Sequence, residues 1–236
     1  MQEACDTATI PVFGLDIAPG SLFPYSVSLS VFLTVFVLPV IGAVADRSYH
    51  KKELMAGAAY VGSAATIAFM FLTGDRYLLG AGLFLVANIA FGASIVVYHS
   101  FLPQISNAEE RDHVSSVGWA FGYLGGGLLL AINLAVYLGH DTVGLSEGMA
   151  VRLSLLSAAI WWAGFTIIPM VRLRNYAPHN LVRAEGTLFQ RSFGQLFTTL
   201  KEMRGFPMTL TFLIAYLFYN DGIQTVIYAA STYGSK

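Results

Sequence analysis

Residues 23–52 read FPYSVSLSVFLTVFVLPVIGAVADRSYHKK. From Phe23 to Ala45 there is no charged side chain, and then Asp46, Arg47, His50, Lys51 and Lys52 arrive together. A bilayer's hydrocarbon core is crossed by roughly 20 apolar residues in a helix. The stretch therefore reads as one membrane span followed by a short charged loop. Working outward, five more stretches have that character: Leu54–Leu72, Tyr77–Leu102, Val117–Leu138, Val151–Val171 and Met208–Ala230. The expected fold class is an all-α, polytopic transmembrane helical bundle of about six spans.

Composition agrees. Hydrophobic residues make up 56% of the 236 and charged residues only 11%, where an ordinary soluble domain carries about 25% charged residues. The mean hydropathy is +0.62. The alternative is a soluble helical protein with buried central helices. It would need amphipathic outer helices, and five of the six stretches lack a polar stripe wide enough to supply one. A net charge of -1 leaves no basic excess, which argues against nucleic acid as a partner. The single cysteine, Cys5, excludes a disulfide framework and a cysteine metal site.

The loops sort by charge. Arg47, Lys51 and Lys52 follow the first span, Arg111 the third, and Arg172, Arg174, Arg183, Arg191, Lys201 and Arg204 the fifth. The opposite side has Arg76, Arg152 and Lys236. By the positive-inside rule the first set is cytoplasmic. Residues 1–22, with Glu3, Asp6 and Asp16 and no basic residue, then form an external loop. Nothing in the sequence would carry that tail across a membrane, so the chain reads as an internal fragment of a longer protein; a genuine six-helix protein is the alternative. Residues 23–171 hold five spans, 172–207 form a cytoplasmic linker, and 208–236 hold one further span. Within the linker Phe189, Phe193, Leu196, Phe197, Leu200 and Met203 recur at helical spacing, with Arg191, Gln195, Lys201 and Glu202 between them. That pattern suits an amphipathic helix lying in the membrane interface.

Gly42, three residues, Asp46, Arg47 and then Lys51 and Lys52 resemble the loop motif of the major facilitator superfamily. Tyr49 stands where that motif's second glycine is usual. In the family the loop joins the second and third helices on the cytoplasmic side, and its carboxylate pairs with basic groups and helps lock the outward-facing state. The resemblance implies a partial major facilitator fold: the first span here corresponds to the family's second, the linker joins the family's two bundles, and 208–236 is the first helix of the C-terminal bundle. A narrower resemblance, to the vacuole-effluxer branch, rests on FLPQIS at 101–106, EERD at 109–112, SSVGWAFGYLGGG at 115–127 and YNDGIQT at 219–225. His99 departs from it, standing where an Asn is expected. This resemblance implies a secondary transporter of a small solute, with amino-acid efflux and proton coupling as its narrower form. It further implies a monomer when full length, in the inner membrane of a bacterium or the vacuolar membrane of a fungus. A membrane-embedded enzyme or a non-transporting scaffold is the alternative.

Gly118, Gly122 and Gly126 repeat every four residues and leave one face of the fourth span bare, where another helix can approach closely. Asn133 lies near that face, an amide that needs a partner in hydrocarbon and a candidate residue of the solute or proton pathway. In the last stretch Asp221 sits at mid-membrane depth, at a cost of about 2.5–3.5 kcal/mol on the insertion scale. Leu210, Phe212, Leu213, Ile214, Leu217, Phe218, Val226 and Ile227 supply about 0.3–0.6 kcal/mol each, enough for the helix to insert. A carboxylate that costly marks a solute or proton pathway, with Asn220 and Gln224 beside it, and Gly222 would let the helix unwind there. An ion pair with another helix, or a turn at Asn220-Asp221-Gly222, are the structural alternatives.

His50, His99, His113, His140 and His179 are scattered without metal-ligand spacing, and the sequence holds no HExxH or GxxxxGK[ST]. No metal, cofactor or catalytic residue is expected. The orientation can be checked directly: a membrane-impermeant maleimide should label Cys5 in intact cells. Labelling that appears only after permeabilisation would reverse the topology.

Overall fold

The structure, a computed structural model, describes residues 10–12, 15–17, 21–72, 76–175, 193–194, 197–199 and 201–233. The chain divides into two compact units, Met1–Arg183 and Ala184–Lys236, with the division inside the expected linker. The first unit holds α1 (Leu22–Arg47), α2 (Lys51–Ala68, continued by a 3-10 turn over Phe69–Phe71), α3 (Tyr77–His99), a single turn α4 (Leu102–Ile105), α5 (Arg111–Leu138) and α6 (Glu147–Arg172). The second holds a 3-10 turn at Met203–Gly205 and α7 (Pro207–Tyr233). The helical bundle expected from hydropathy is present. One addition is a small antiparallel pair, Ile10–Val12 with Leu15–Ile17, in register Ile10↔Ile17 within the segment expected to be a plain loop.

Five helices among the described residues are long and apolar enough to cross a membrane: Leu22–Arg47, Lys51–Phe71, Tyr77–Ile105, Arg111–Leu138 and Glu147–Arg172. They match the first five expected spans. The sixth, α7, is a continuous helix but is not in that set; Asn220, Asp221 and Gln224 dilute its apolar character. Several expected ends move. α3 stops at His99 rather than Leu102 because Pro103 has no N–H to give the His99 carbonyl, and the chain turns at Ser100 and Phe101 into α4. α5 starts at Arg111, six residues before Val117, with Asp112 in its first turn, where a carboxylate suits the helix N-terminus. α6 starts at Glu147, where the Ser146 hydroxyl accepts a hydrogen bond from the Met149 N–H at 3.3 Å. The α5–α6 turn uses Gly144 at φ 69°, a conformation that favours glycine. Of the expected amphipathic helix, the described residues 193–194, 197–199 and 201–202 are helical, and the rest lies outside the described residues.

Packing centres on α2, which lies against α3 and α6, while α1 packs on α3. A third of the most apolar window of α2 is buried (33%), against 0% for α5. The apolar faces of the other spans are thus left for lipid or further helices. Most of the buried apolar residues are alanines: Ala56, Ala59, Ala65, Ala90, Ala93 and Ala159 are each at most 7% exposed. Small residues let backbones approach closely, which is how helices associate where lipid removes the hydrophobic driving force. Gly62 shows the consequence: a Cβ there would collide with the Trp162 ring and lie 3.3 Å from Ala90 Cβ. A polar bond joins α1 to α3, from Asn88 Nδ2 to Ser30 Oγ at 2.6 Å, with Ser30 fully buried.

Gly62→Ala should therefore destabilise the protein by about 1–3 kcal/mol, the range for overpacking a filled core. Gly57→Ala on the same helix, with nothing within 4 Å of the added carbon, should be neutral. Thermal unfolding of the two variants in detergent checks this; equal midpoints would mean that α2 and α6 are not in close contact.

Candidate functional site

The ends of α1, α2, α3 and α6 converge. α1 delivers buried Ala45, then exposed Asp46 and half-buried Arg47. Ser48 Oγ accepts a hydrogen bond from the His50 N–H at 3.0 Å, and α2 begins at the next residue. Lys51 is only 8% exposed. Its ammonium lies 3.7 Å from Asp46 Oδ1 and 5.7 Å from the centre of the Phe101 ring. Beneath it, Ala45, Met55, Val97 and Phe101 form a buried cluster, with Ile41, Leu54 and Leu173 packed around it.

Lys52 points the other way, onto α6. Its Nζ donates to the Met170 carbonyl at 3.3 Å. That carbonyl belongs to the last turn of α6, where carbonyls have no partner within the helix and a cation is favoured. The Lys52 backbone N–H, equally unpartnered at the start of α2, donates to Asn175 Oδ1 at 3.0 Å. Asn175 Nδ2 in turn donates to Glu53 Oε2 at 2.7 Å. Asp46, Arg47, Lys51 and Lys52 thus meet at one end of the bundle, and Gly42 sits one turn further in, where an added Cβ would make ordinary contact with Val96 at 3.6 Å. Arg172 and Arg174 lie at the same end. Arg47 Nη1, Arg111 Nε and Gln104 Oε1 are buried there without a hydrogen-bond partner among the described residues.

The glycine face of α5 is different from a packed seam. Gly118, Gly122 and Gly126 are exposed, and nothing lies within 4 Å of a Cβ added at Gly122 or Gly126. A Cβ added at Gly118 would lie 3.8 Å from the Tyr98 hydroxyl of α3, and Gly125 faces Trp161 at 4.0 Å. Gly118 and Gly122 help to line a cavity of about 270 Å³ with Tyr98, His99, Phe101 and Trp119. The His99 and Trp119 rings stack at 6.2 Å, and Trp119 neighbours Tyr123 at 5.9 Å.

Asn133 is occupied. Its Oδ1 accepts from the Ser157 hydroxyl at 2.8 Å and its Nδ2 donates to the Ser154 carbonyl at 3.4 Å, so it joins α5 to α6. Asn220, Asp221 and Gln224 lie in the second unit, on a helix that runs through Gly222 without a break. The expected unwinding or turn there is not present. Asp221 and Gln224 are exposed, three residues apart, and so share a face of α7. Among the described residues no group of three or more His, Cys, Asp or Glu could hold a metal ion.

A family model described as vacuole effluxer Atg22 like matches residues 2–236. The chain belongs to the Atg22-like vacuole effluxer family. It is 30% identical over 240 residues to the uncharacterized MFS-type transporter YxiO of Bacillus subtilis, covering 97% of this chain and 55% of that protein. It is 39% identical over 92 residues to autophagy-related protein 22 of Gibberella zeae, covering 39% of this chain and 14% of that one. With autophagy-related protein 22-1 of Neosartorya fischeri the identity is 25% over 293 residues, covering 91% and 48%. No solved structure matches. The chain spans about half the length of the curated relatives it matches across most of its own length.

The Atg22-like chain is thus a multi-pass integral membrane protein, and its family description and its Bacillus subtilis relative carry the words effluxer and transporter rather than an enzyme name. Within it, sequence reasoning missed Asn175, Phe101 and the Ser30–Asn88 pair. An Asn just past a helix end signals a cap, but its partner on α2 is invisible in the sequence. Asn133→Leu removes two interhelical bonds, each worth about 0.6 kcal/mol on average in a membrane bundle. It should lower the thermal midpoint of the full-length protein and leave solute half-saturation unchanged. A changed half-saturation would return Asn133 to the solute pathway.

Proposed function

We propose that this chain is the greater part of the first bundle, the linker and the first helix of the second bundle of a secondary transporter. It moves a small solute by alternating access, as the vacuole effluxer description of its family suggests, and in the narrower form of this reading its solutes include amino acids. The observation that carries the reading is the network at the basic end. Asp46 is 69% exposed at the side chain and lies 3.7 Å from Lys51, a pair worth about 0–1 kcal/mol. A contact that weak, set on a firmly packed cluster, suits a lock that must open and close in each cycle. The basic residues around it support a cytoplasmic position for that end by the positive-inside rule. The buried donors of Arg47 and Arg111 are available to an acceptor brought by another part of the full-length protein.

In this reading residues 1–22 are external and 172–207 cytoplasmic. The bare face at Gly118, Gly122 and Gly126 receives a helix from outside the described residues. Asp221 turns toward the bundle interior, because facing lipid is its least stable arrangement. There it binds and releases a proton, or holds the amino group of a solute as a carboxylate, with Asn220 and Gln224 beside it.

The test uses the full-length protein in proteoliposomes. Asp221→Asn keeps the size of the side chain and removes its titration. It should abolish solute transport or its dependence on a pH gradient. Wild-type transport at every pH would make Asp221 structural. Asp46→Asn should change the transport rate by up to about fivefold, the equivalent of 1 kcal/mol, with little effect on solute affinity. An unchanged rate would reduce Asp46 to a marker of topology.

A further inference from the structure

Asn175 is the first polar side chain beyond α6 that reaches back into the bundle, and it makes two hydrogen bonds to the opening turn of α2. Its Oδ1 accepts from the Lys52 N–H at 3.0 Å and its Nδ2 donates to Glu53 Oε2 at 2.7 Å. Both groups of the amide are used, and in one orientation only: an acceptor meets the backbone donor and a donor meets the carboxylate. Lys52 adds a third bond between the same two ends, from Nζ to the Met170 carbonyl. On its other side Lys52 adjoins Lys51, whose ammonium meets Asp46 and the Phe101 ring. Leu173, two residues before Asn175, packs on the cluster that contains Phe101. The chain leaving α6 is therefore fastened to the motif loop at the side chain of Asn175, at Lys52 and at Leu173.

We infer that Asn175 is a positioning residue for the gate at the basic end: it couples the exit of α6 to the Asp46–Lys51 loop, so that displacement of Asn175 shifts the balance between open and locked states. This rests on the transport reading above. The physical reason is that the first turn of α2 has free N–H groups that need an acceptor, and here the acceptor comes from the segment that leads to the second half of the protein. Withdrawal of the Asn175 amide leaves the Lys52 N–H without that acceptor and frees Glu53. The turn that carries Lys51 then loses its anchor, and Lys51 loses its fixed position over Phe101. Asn175 touches no solute in this scheme. It acts through Lys52 and Glu53.

The test pairs Asn175→Asp with the double variant Glu53→Gln/Asn175→Asp in the full-length protein. The single change keeps an acceptor for the Lys52 N–H but sets a second carboxylate against Glu53. The double variant restores the bond with donor and acceptor exchanged, a rescue that a pair in contact allows. Two readouts are compared: maleimide labelling of Tyr49→Cys on the exposed loop from the cytoplasmic face, and counterflow of radiolabelled leucine in proteoliposomes. Asn175→Asp should change the labelling rate and the maximal leucine rate by about 5- to 30-fold, the effect of 1–2 kcal/mol on a two-state balance. Half-saturation should stay constant, and the double variant should return both rates to within about twofold of wild type. Unchanged rates, or changes that the double variant does not reverse, would overturn the assignment. If the wild-type protein moves no leucine, the amino-acid reading fails by itself, and the labelling rates still decide the role of Asn175. If the single variant does not fold, wild-type labelling in the double variant supports the contact and altered labelling overturns it.

Discussion

A lysine ammonium that is nine-tenths buried must keep its charge satisfied, and the basic end of this bundle is arranged around that need. Lys51 has a carboxylate at 3.7 Å on one side and an aromatic face at 5.7 Å on the other. Placing both requires α1 to end at Asp46 and Arg47, and α3 to end just before Phe101, so that three helix ends meet. Pro103 contributes by stopping α3 in time for Phe101 to turn inward. Lys52 and Asn175 then bring in the end of α6. One buried charge therefore links the loop motif, the termination of α3 and the exit of α6.

The forces holding the bundle are divided by depth. Within the membrane, α2 associates with α3 and α6 through alanines and Gly62, with contacts that are short-ranged, unpolarised and sensitive to a single added carbon. At the basic end the contacts are ionic and hydrogen-bonded, partly open to water and individually weak. That division would suit the alternating-access cycle proposed above: the bundle stays rigid while its edge can be released. α5 stands apart from this scheme. None of its most apolar window is buried, its glycine face is open, and its ties to α6 include the Asn133 bonds. An apolar helix so little covered by its own bundle is placed to meet lipid or further helices.

The fold was legible because a bilayer leaves few choices. Uncharged runs of about 20 residues have to be helices when no water is present to take up their backbone groups, and Phe23–Ala45 and its successors could be read on that basis alone. The charged loops showed which helix ends share a side. The ends themselves were harder, since α5 and α6 extend beyond the apolar runs through Arg111–Ser116 and Glu147–Ala150, where polar and mixed residues are as helical as the rest. At the candidate site, Gly42, Asp46, Arg47, Lys51 and Lys52 were visible as a spaced pattern. Asn175 was not, because its partners lie more than a hundred residues away in the sequence. Gly118, Gly122 and Gly126 look like a packing seam in one dimension, yet the packed small residues are Ala56, Ala59 and Gly62, whose stripe is interrupted by larger neighbours and stands out less. Asn133 was recognised as needing a partner, but the partner, Ser157, could not be named.

The central claim is that the ends of α1, α2, α3 and α6 form one cooperative unit around Phe101 and Lys51. Amide hydrogen exchange of the full-length protein, wild type against Phe101→Ala, tests it most directly. If the unit exists, protection should fall together in residues 42–47, 51–56, 94–101 and 168–173, because removing the ring unseats Lys51 and opens the cluster shared by all four ends. A loss of protection confined to α3 and the turn after it, with the other three segments as slow as in wild type, would contradict the account.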